Sequence, residues 1–94
     1  MIEGELYVLK NSPNCVFAYK RQLGASIYYY ACVNSHDAVK IPGIGLAIGA
    51  LTSQPSRIAN DEERSRFYEY LYESGYHYNM ANRKVINIIT GELL

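Results

Sequence analysis

The sequence has no tryptophan, and only two cysteines and two histidines among its 94 residues. Two cysteines are too few for a disulfide scaffold, so free buried thiols are expected, and the lack of a basic-then-apolar leader favours a cytoplasmic location. A metal site would need further ligands that converge on a histidine or a cysteine, and no spacing in the chain demands one. We therefore expect no metal site and no cofactor.

Net charge is also absent, because nine basic residues balance nine acidic ones. Proteins that bind nucleic acid by releasing counterions normally carry a basic excess or stripe, whereas the nearest equivalent here is the pair Lys20-Arg21. A chain without net charge has little electrostatic protection against self-association. The charge balance disfavours nucleic acid as a partner and leaves a homo-oligomer as an open alternative to a protein partner.

No apolar run is long enough to cross a bilayer, so no membrane association is expected. The longest run, residues 44–51, includes two glycines. Residues 43–49 superficially resemble a phosphate-cradling loop, but no helix pattern follows them and no Lys-Ser or Lys-Thr pair closes them. A strand that bends tightly at glycine is the better interpretation of this stretch.

The chain is instead rich in tyrosine, with ten tyrosines beside two phenylalanines. A tyrosine buries its ring but requires a partner for its hydroxyl group, so it suits half-buried positions. A thin and partly hydrated core accounts for most of these tyrosines, and an exposed recognition surface is the main alternative. The two interpretations differ in which tyrosines remain exposed.

The order of the predicted elements favours one α+β domain over residues 1–94. Residues 1–56 are predicted mainly as strands, and residues 60–89 as a helix followed by a β-hairpin. Successive short strands with tight turns favour a curved antiparallel sheet, of which an SH3-like half-barrel is one form. The strands of the first part are predicted at residues 5–10, 15–21, 26–33 and 38–41.

Residues 15–21 and 26–33 are predicted to form the central hairpin, because both of its faces are apolar. A two-residue turn at Leu23-Gly24 and a four-residue loop both give the same pairing. The predicted cross-strand partners are Tyr19 with Tyr28, Phe17 with Tyr30, and Cys15 with Cys32. A loop of odd length would exchange these partners.

The clearest single element is a helix near residues 61–74. Asn60 and Glu63 have the spacing of a capping box, and the acidic residues 61–63 suit the positive end of the helix dipole. Gly75 provides the left-handed conformation that commonly ends a helix. The residues expected to be buried against the sheet are Phe67, Tyr70 and Leu71. The hairpin that follows is predicted to turn at residues 80–83.

Some tyrosines of the helix and the hairpin exceed what this apolar face needs. Tyr68 and Tyr72 form a second stripe at helical spacing, and Tyr76 and Tyr78 follow it. Exposed aromatic side chains mark protein partner sites, or stacking platforms for single-stranded nucleic acid where cations lie nearby. The predicted interaction surface comprises Tyr68, Tyr72, Tyr76, Tyr78 and Arg64.

Candidate catalytic residues are few. The residues that could supply a cysteine nucleophile and a histidine base are Cys15, Cys32, His36 and His77. Both cysteines lie on predicted apolar strands, where a thiol is usually inert. We therefore expect a non-enzymatic module that binds a protein partner or itself. A weak binder of single-stranded nucleic acid is the alternative, and a small cysteine–histidine enzyme is third.

One stretch also has the order of a known signature. It comprises Arg57-Ile58-Ala59-Asn60-Asp61-Glu62-Glu63-Arg64, Phe67-Tyr68, Leu71, Gly75-Tyr76-His77-Tyr78-Asn79 and Arg83-Lys84. It resembles the C-terminal signature of small uncharacterised proteins of bacteria and their phages, roughly R-x-A-T-x-E-E-K, an aromatic-rich helix, G-Y-x-W-N/D and a charged turn. Asn60 stands in place of the threonine and Tyr78 in place of the tryptophan, and both keep the physical role. The resemblance covers about a third of the chain and implies a shared fold and a phage or mobile-element context, but no activity.

Overall fold

A computed structural model describes residues 1–42 and 49–94 of the chain. The fold is α+β, with a six-stranded antiparallel sheet, one helix and a separate C-terminal β-hairpin among the described residues, as the sequence predicts. The elements are β1 (Leu6–Leu9), β2 (Ser12–Leu23), β3 (Ser26–Val33), β4 (Val39–Lys40), β5 (Gly49–Thr52), β6 (Ser56–Ile58), α1 (Asp61–Glu73), β7 (Tyr76–Asn79) and β8 (Lys84–Asn87).

The sheet has the order β4-β3-β2-β1-β6, and β5 pairs with β3 as well. The hairpin of β2 and β3 is central, as predicted. Strand β6 is not predicted from the sequence, because its residues lack the pattern of a strand. It is a strand because it pairs with β1. Of the glycine-rich residues 43–49, only Gly49 lies within the described residues, where it begins β5.

The sheet is strongly curved, as predicted, because a short connection ties together the two ends of β2. The Ser53 amide donates to the Ala25 carbonyl over 2.5 Å, and the Lys10 amide donates to the Pro55 carbonyl over 2.8 Å. Ala25 and Lys10 lie in the turns at opposite ends of β2. A straight strand of 12 residues would be about 40 Å long, whereas three residues reach only about 11 Å. Strand β2 must therefore bend, although the sheet stays open.

The bend coincides with a β-bulge. Ala18 pairs with Ala31 and Tyr19 pairs with Tyr29, so Tyr30 is passed over on β3, and Lys20 is then passed over on β2. Bulges bend a strand and increase its twist. The two residues left without cross-strand partners contact each other, since the Lys20 ammonium lies 5.2 Å from the centre of the Tyr30 ring.

The predicted register of the central hairpin is wrong by two positions. Phe17 pairs with Cys32 and not with Tyr30, because the turn is Gly24-Ala25, one residue later than predicted. Gly24 has a φ of +58°, which two-residue hairpin turns favour and which glycine adopts without strain. The bulge then turns Tyr29 toward the face that holds Cys15 and Phe17, where Tyr28 and Tyr30 are predicted.

The two faces of the sheet carry separate cores. The helix-side core packs under α1 and the hairpin, and its largest members are Leu6, Val8, Val16, Val33, Phe67, Leu71, Tyr78 and Val85. The opposite core comprises Tyr7, Leu9, Cys15, Phe17, Ile27, Tyr29 and Cys32. Alternate residues of β1 point into the two cores, which is the period expected of a strand buried on both faces.

Helix α1 begins and ends as the sequence predicts. The Asn60 side chain accepts from the Glu63 amide, and the Glu63 carboxylate accepts from the Asn60 amide, each over 2.9 Å. The helix ends at Glu73, and Gly75 follows with a φ of +91°. Phe67 and Leu71 are fully buried, whereas Tyr70 is half-buried.

The N-terminal segment joins the helix to the hairpin. The Glu5 carboxylate pairs with the Arg64 guanidinium of α1, and lies 3.5 Å from Nε of Arg83 in the hairpin turn. The Tyr78 hydroxyl donates to the Gly4 carbonyl over 2.5 Å. These contacts connect residues that are more than fifty positions apart in the chain, so the three elements are held as one unit.

Glu5 is expected to make the stability sensitive to acid. Burial alone raises the pKa of Glu5, but the Leu6 amide and the Arg64 guanidinium together hold it below its ordinary value. A carboxyl group with a lowered folded pKa stabilises the protein above its unfolded pKa of about 4.3, and this contribution is lost as pH falls through the folded value. We expect the free energy of unfolding to fall less between about pH 5 and 3 in Glu5→Gln than in the wild type. Urea denaturation over this range measures the slope.

The matched control is Glu92→Gln, which removes an exposed carboxylate outside the four ion pairs of the described residues. Its pH dependence should follow the wild type. Parallel curves for Glu5→Gln and the wild type would show that the Glu5 pairs contribute nothing to acid sensitivity.

Candidate interaction surface on the helix and the hairpin

The outer face of α1 and the neighbouring strand β7 form a shallow, open groove of about 480 Å³, which we call the α1–β7 groove. Its lining residues are Ser65, Tyr68, Glu69, Tyr72, Glu73 and His77. The five helical positions recur at intervals of three and four residues, so they form one stripe along the helix. The two buried residues of the helix, Phe67 and Leu71, do not belong to this stripe.

Tyr68 forms a rigid wall of the groove. Its ring stacks on the Tyr78 ring with centroids 5.7 Å apart and an interplanar angle of 19°. Tyr78 in turn meets Phe67 edge-to-face, with centroids 5.8 Å apart. The Tyr68 hydroxyl donates to Sδ of Met80 over 3.1 Å. A continuous series of aromatic contacts therefore runs from the buried Phe67 to the surface and fixes the Tyr68 ring.

Tyr72 is the most exposed aromatic residue of the groove, with 65% of its surface accessible. Met80, which contacts Tyr68 at one end of the stripe, is 62% exposed. Large apolar side chains with this exposure supply contact area that a partner can bury. The groove thus combines one fixed ring, Tyr68, with one accessible ring, Tyr72.

The groove is acidic. Glu69 and Glu73 are exposed on either side of Tyr72 in the sequence, and neither has an ion-pair partner within residues 1–42 and 49–94. The only other titratable side chain of the lining, apart from the tyrosines, is the exposed His77. Two free carboxylates beside an accessible ring give the groove a negative potential.

The structure distributes the five predicted surface residues between three environments. Tyr68 and Tyr72 line the groove, as described above. The assignment of Tyr78 to the surface is wrong, because its ring is 4% exposed and belongs to the helix-side core. Tyr76 is half-buried against the same core. Arg64 is half-buried and bound to Glu5 and the Ala59 carbonyl, so it is not a free cation.

Three further residues line the groove but are not predicted from the sequence, namely Glu69, Glu73 and His77. The signal for the two glutamates was present, since they have helical spacing with Tyr68 and Tyr72. His77 reaches the groove only because β7 packs alongside α1, and that packing depends on the core contacts of Tyr78. Local spacing predicts the helical part of the groove, whereas the hairpin part needs the tertiary structure.

The two cysteines are free thiols, as expected, and are buried with their Sγ atoms 3.3 Å apart. In the described part of the chain neither thiol hydrogen-bonds to a histidine, and His36 and His77 are both exposed. The same residues contain no group of three histidine, cysteine or carboxylate side chains with the geometry of a metal site.

Across the residues that the structure describes, no helix combines the length and the apolar character needed to cross a membrane. No protein-family model, curated protein or solved structure significantly matches this chain. The resemblance of residues 57–84 to bacterial and phage proteins therefore stays a prediction.

Proposed function

We propose that the protein is a non-enzymatic interaction module that binds a lysine- or arginine-rich segment of a partner protein in the α1–β7 groove. The observation that carries this proposal is the combination of the accessible Tyr72 ring with the unpaired carboxylates of Glu69 and Glu73 on one helix face. Carboxylates form charge-assisted hydrogen bonds with guanidinium and ammonium groups, and tyrosine faces attract the same cations. The carboxylates and the tyrosine ring therefore both favour lysine and arginine side chains.

The fixed orientation of Tyr68 supports the same proposal. Association costs less when the groups that make the contact are already ordered in the free protein. The stacking of Tyr68 on Tyr78 and its hydrogen bond to Met80 provide this order on one side of the groove. The partner would then order mainly Tyr72 and the two glutamates.

A different protein is favoured over a second copy of this chain, because few cations in the described part of the chain lack a partner. Four arginines form ion pairs with carboxylates, and Arg21 lies over the Tyr28 ring at 5.6 Å. Lys20 lies over Tyr30 in the same way. Self-association through the groove would depend on the remaining lysines, and it is the homo-oligomeric alternative that the experiment below distinguishes.

A partner protein is also favoured over single-stranded nucleic acid. Stacking platforms for nucleic acid combine aromatic rings with cations that follow the phosphates. Here the rings lie beside free carboxylates, and the nearby Arg64 and Arg66 are bound to Glu5 and Asp37. The resulting field repels phosphate groups and attracts basic side chains.

The test is a titration of the isotope-labelled protein with a short lysine- and arginine-rich peptide, followed by NMR chemical shifts. We expect the largest shifts at residues 65–73 and at His77, and binding that weakens as salt is added. Glu69→Lys should weaken binding by about tenfold, or about 1.4 kcal/mol, because it replaces attraction by repulsion in the lining of the groove.

Glu92→Lys is the matched control, since it makes the same charge change at an exposed position outside the groove lining. Equal weakening by the two variants, or shifts spread evenly over the surface, would contradict a specific groove. Light scattering over a range of protein concentrations detects self-association. Tighter binding of an oligonucleotide by Glu69→Lys than by the wild type would show that the surface tolerates phosphate once the charge of Glu69 is reversed.

A further inference from the structure

The opposite core contains two thiols in direct contact. The Sγ atoms of Cys15 on β2 and Cys32 on β3 are 3.3 Å apart, whereas a disulfide bond is about 2.05 Å long. The direct cross-strand partner of Cys32 is Phe17, so the cysteines are diagonal neighbours whose side chains point toward each other. A movement of little more than about 1 Å would bring the sulfur atoms to bonding distance.

The environments of the two thiols differ. Cys15 is 8% exposed, and it lies in the part of β2 where the register against β1 shifts, so that residues 13–15 have no partner in β1. Cys32 is 2% exposed, and β3 is paired on both sides at this point. A reagent in solvent therefore reaches Cys15 before Cys32.

The pKa shifts of the two thiols also distinguish Cys15 from Cys32. The hydrogen bond from the Cys32 thiol lowers the pKa of Cys15 in spite of burial, and the positive charge of Arg66 contributes to this lowering. The same hydrogen bond, together with burial, raises the pKa of Cys32. The lowered pKa of Cys15 and its greater exposure to solvent both favour Cys15 as the thiol that ionises first.

Arg66 binds the backbone of β2 and of the residue that follows β3, at the end of the central hairpin where the two cysteines lie. Its guanidinium donates to the Asn14 carbonyl over 2.8 Å and also to the Asn34 carbonyl, and it pairs with Asp37. Asn14 precedes Cys15 in β2, and Asn34 follows the end of β3. The helix therefore fixes the backbone on both sides of the thiol pair and places a permanent positive charge near it.

We propose that Cys15 and Cys32 form a reversible dithiol–disulfide site that reacts with low-molecular-weight disulfides such as glutathione disulfide. The Cys15 thiolate attacks one sulfur of the reagent, forms a mixed disulfide and releases one glutathione thiolate, which takes up a proton. Cys32 then gives its proton to solvent and attacks Sγ of Cys15, and the second glutathione leaves as a thiolate that takes up a proton. Two protein thiols are oxidised and one glutathione disulfide is reduced to two thiols. This site is independent of the α1–β7 groove.

The experiment exposes the native protein to glutathione buffers of increasing oxidised fraction, traps free thiols by alkylation and measures the intact mass. We expect the wild type to lose two hydrogen atoms without gaining a glutathione adduct, and dithiothreitol to reverse the change. The Cys32→Ser variant should stop at the mixed disulfide and carry one glutathione on Cys15. The Cys15→Ser variant should remain unmodified, because Cys32 is only 2% exposed and β3 is paired on both sides at this point.

Two inert core thiols would give a different set of results. Failure of the wild type to oxidise, glutathione on Cys32, or oxidation no faster than global unfolding would each overturn the proposal. The unfolding rate is measured on the same sample by dilution into urea. If a serine variant does not give the near-ultraviolet spectrum of the folded protein, the corresponding alanine variant replaces it, and the wild-type result alone can still refute the site.

Discussion

A Phe67→Ala variant is expected to unfold with a free energy about 3–5 kcal/mol lower than the wild type, the range for deleting a fully buried phenylalanine side chain. Phe67 is fully buried in the helix-side core and meets Tyr78 edge-to-face. Small domains are stabilised by only about 5–15 kcal/mol, so this variant should lose a large share of the total. Urea denaturation followed by circular dichroism measures the difference.

The matched control is Tyr72→Ala, which removes an aromatic ring from the same helix at a position that is mostly exposed. Its free energy of unfolding should stay within about 0.5 kcal/mol of the wild type. Tyr72→Ala should nevertheless reduce binding of the basic peptide, because the accessible ring is lost. Comparable destabilisation by the two variants would mean that Phe67 does not anchor the helix.

Phe67→Ala should also disturb the groove, although Phe67 does not line it. The Tyr68 ring is fixed by Tyr78, and Tyr78 is supported by Phe67. A cavity beneath Tyr78 removes this support. In the folded fraction of the variant, the peptide should therefore bind more weakly than to the wild type.

The second large effect is expected at Gly4, where Gly4→Ala should lower the free energy of unfolding by about 2–5 kcal/mol. Gly4 has a φ of +81°, which is strained for alanine. An added Cβ would lie 2.6 Å from Cβ of Arg83, and closer still to the Arg83 carbonyl oxygen. The Arg83 backbone would have to move, and this would separate the N-terminal segment from the hairpin. The measurement is again urea denaturation.

Gly24→Ala measures the backbone-strain part of this effect without the steric part. Gly24 also has a positive φ, of +58°, but an added Cβ there meets nothing within 4 Å. It should cost only the backbone strain of about 1–2 kcal/mol. Equal costs at Gly4 and Gly24 would show that the contact with Arg83 relaxes freely and that the junction is not tight.

Helix α1 could be predicted from the sequence because its determinants are local. The cap at Asn60, the spacing of Phe67 and Leu71 and the stop at Gly75 all lie within 16 consecutive residues, and the structure contains each of them. Such signals act through short-range hydrogen bonds and the helical period, so they need no knowledge of the rest of the fold.

The register of the central hairpin could not be predicted in the same way. Leu23-Gly24 and Gly24-Ala25 are both acceptable two-residue turns by composition, and the choice moves every partner by two positions. The bulge beside Tyr19 has no signal in the neighbouring sequence. The Gly4 amide donates to the Tyr19 carbonyl, and the Tyr19 amide donates to the Glu5 carbonyl, so the residue beside the bulge is also bound to the N-terminal segment.

The error at Tyr78 has a similar origin. Its hydroxyl requires a partner, and nothing near it in the sequence indicates that the Gly4 carbonyl, 74 residues away, provides one. Without that partner, a tyrosine on a short hairpin strand is reasonably assigned to the surface. The predicted contact between Cys15 and Cys32 depends only on which face of the hairpin each residue occupies. It occurs even though the two residues are not direct cross-strand partners.

The connection at residues 53–55 has a consequence for the order in which the chain folds during synthesis. Strands β1 to β3 can pair as soon as they leave the ribosome, because their turns are short. The two hydrogen bonds that draw the ends of β2 together come from Ser53 and Pro55, which are synthesised later. The nascent three-stranded sheet is therefore not yet held in its bent form, and both of its apolar faces lack their covering elements. Contacts between distant parts of a chain form slowly, and uncovered sheet faces are prone to aggregate, so this interval is the vulnerable period of folding.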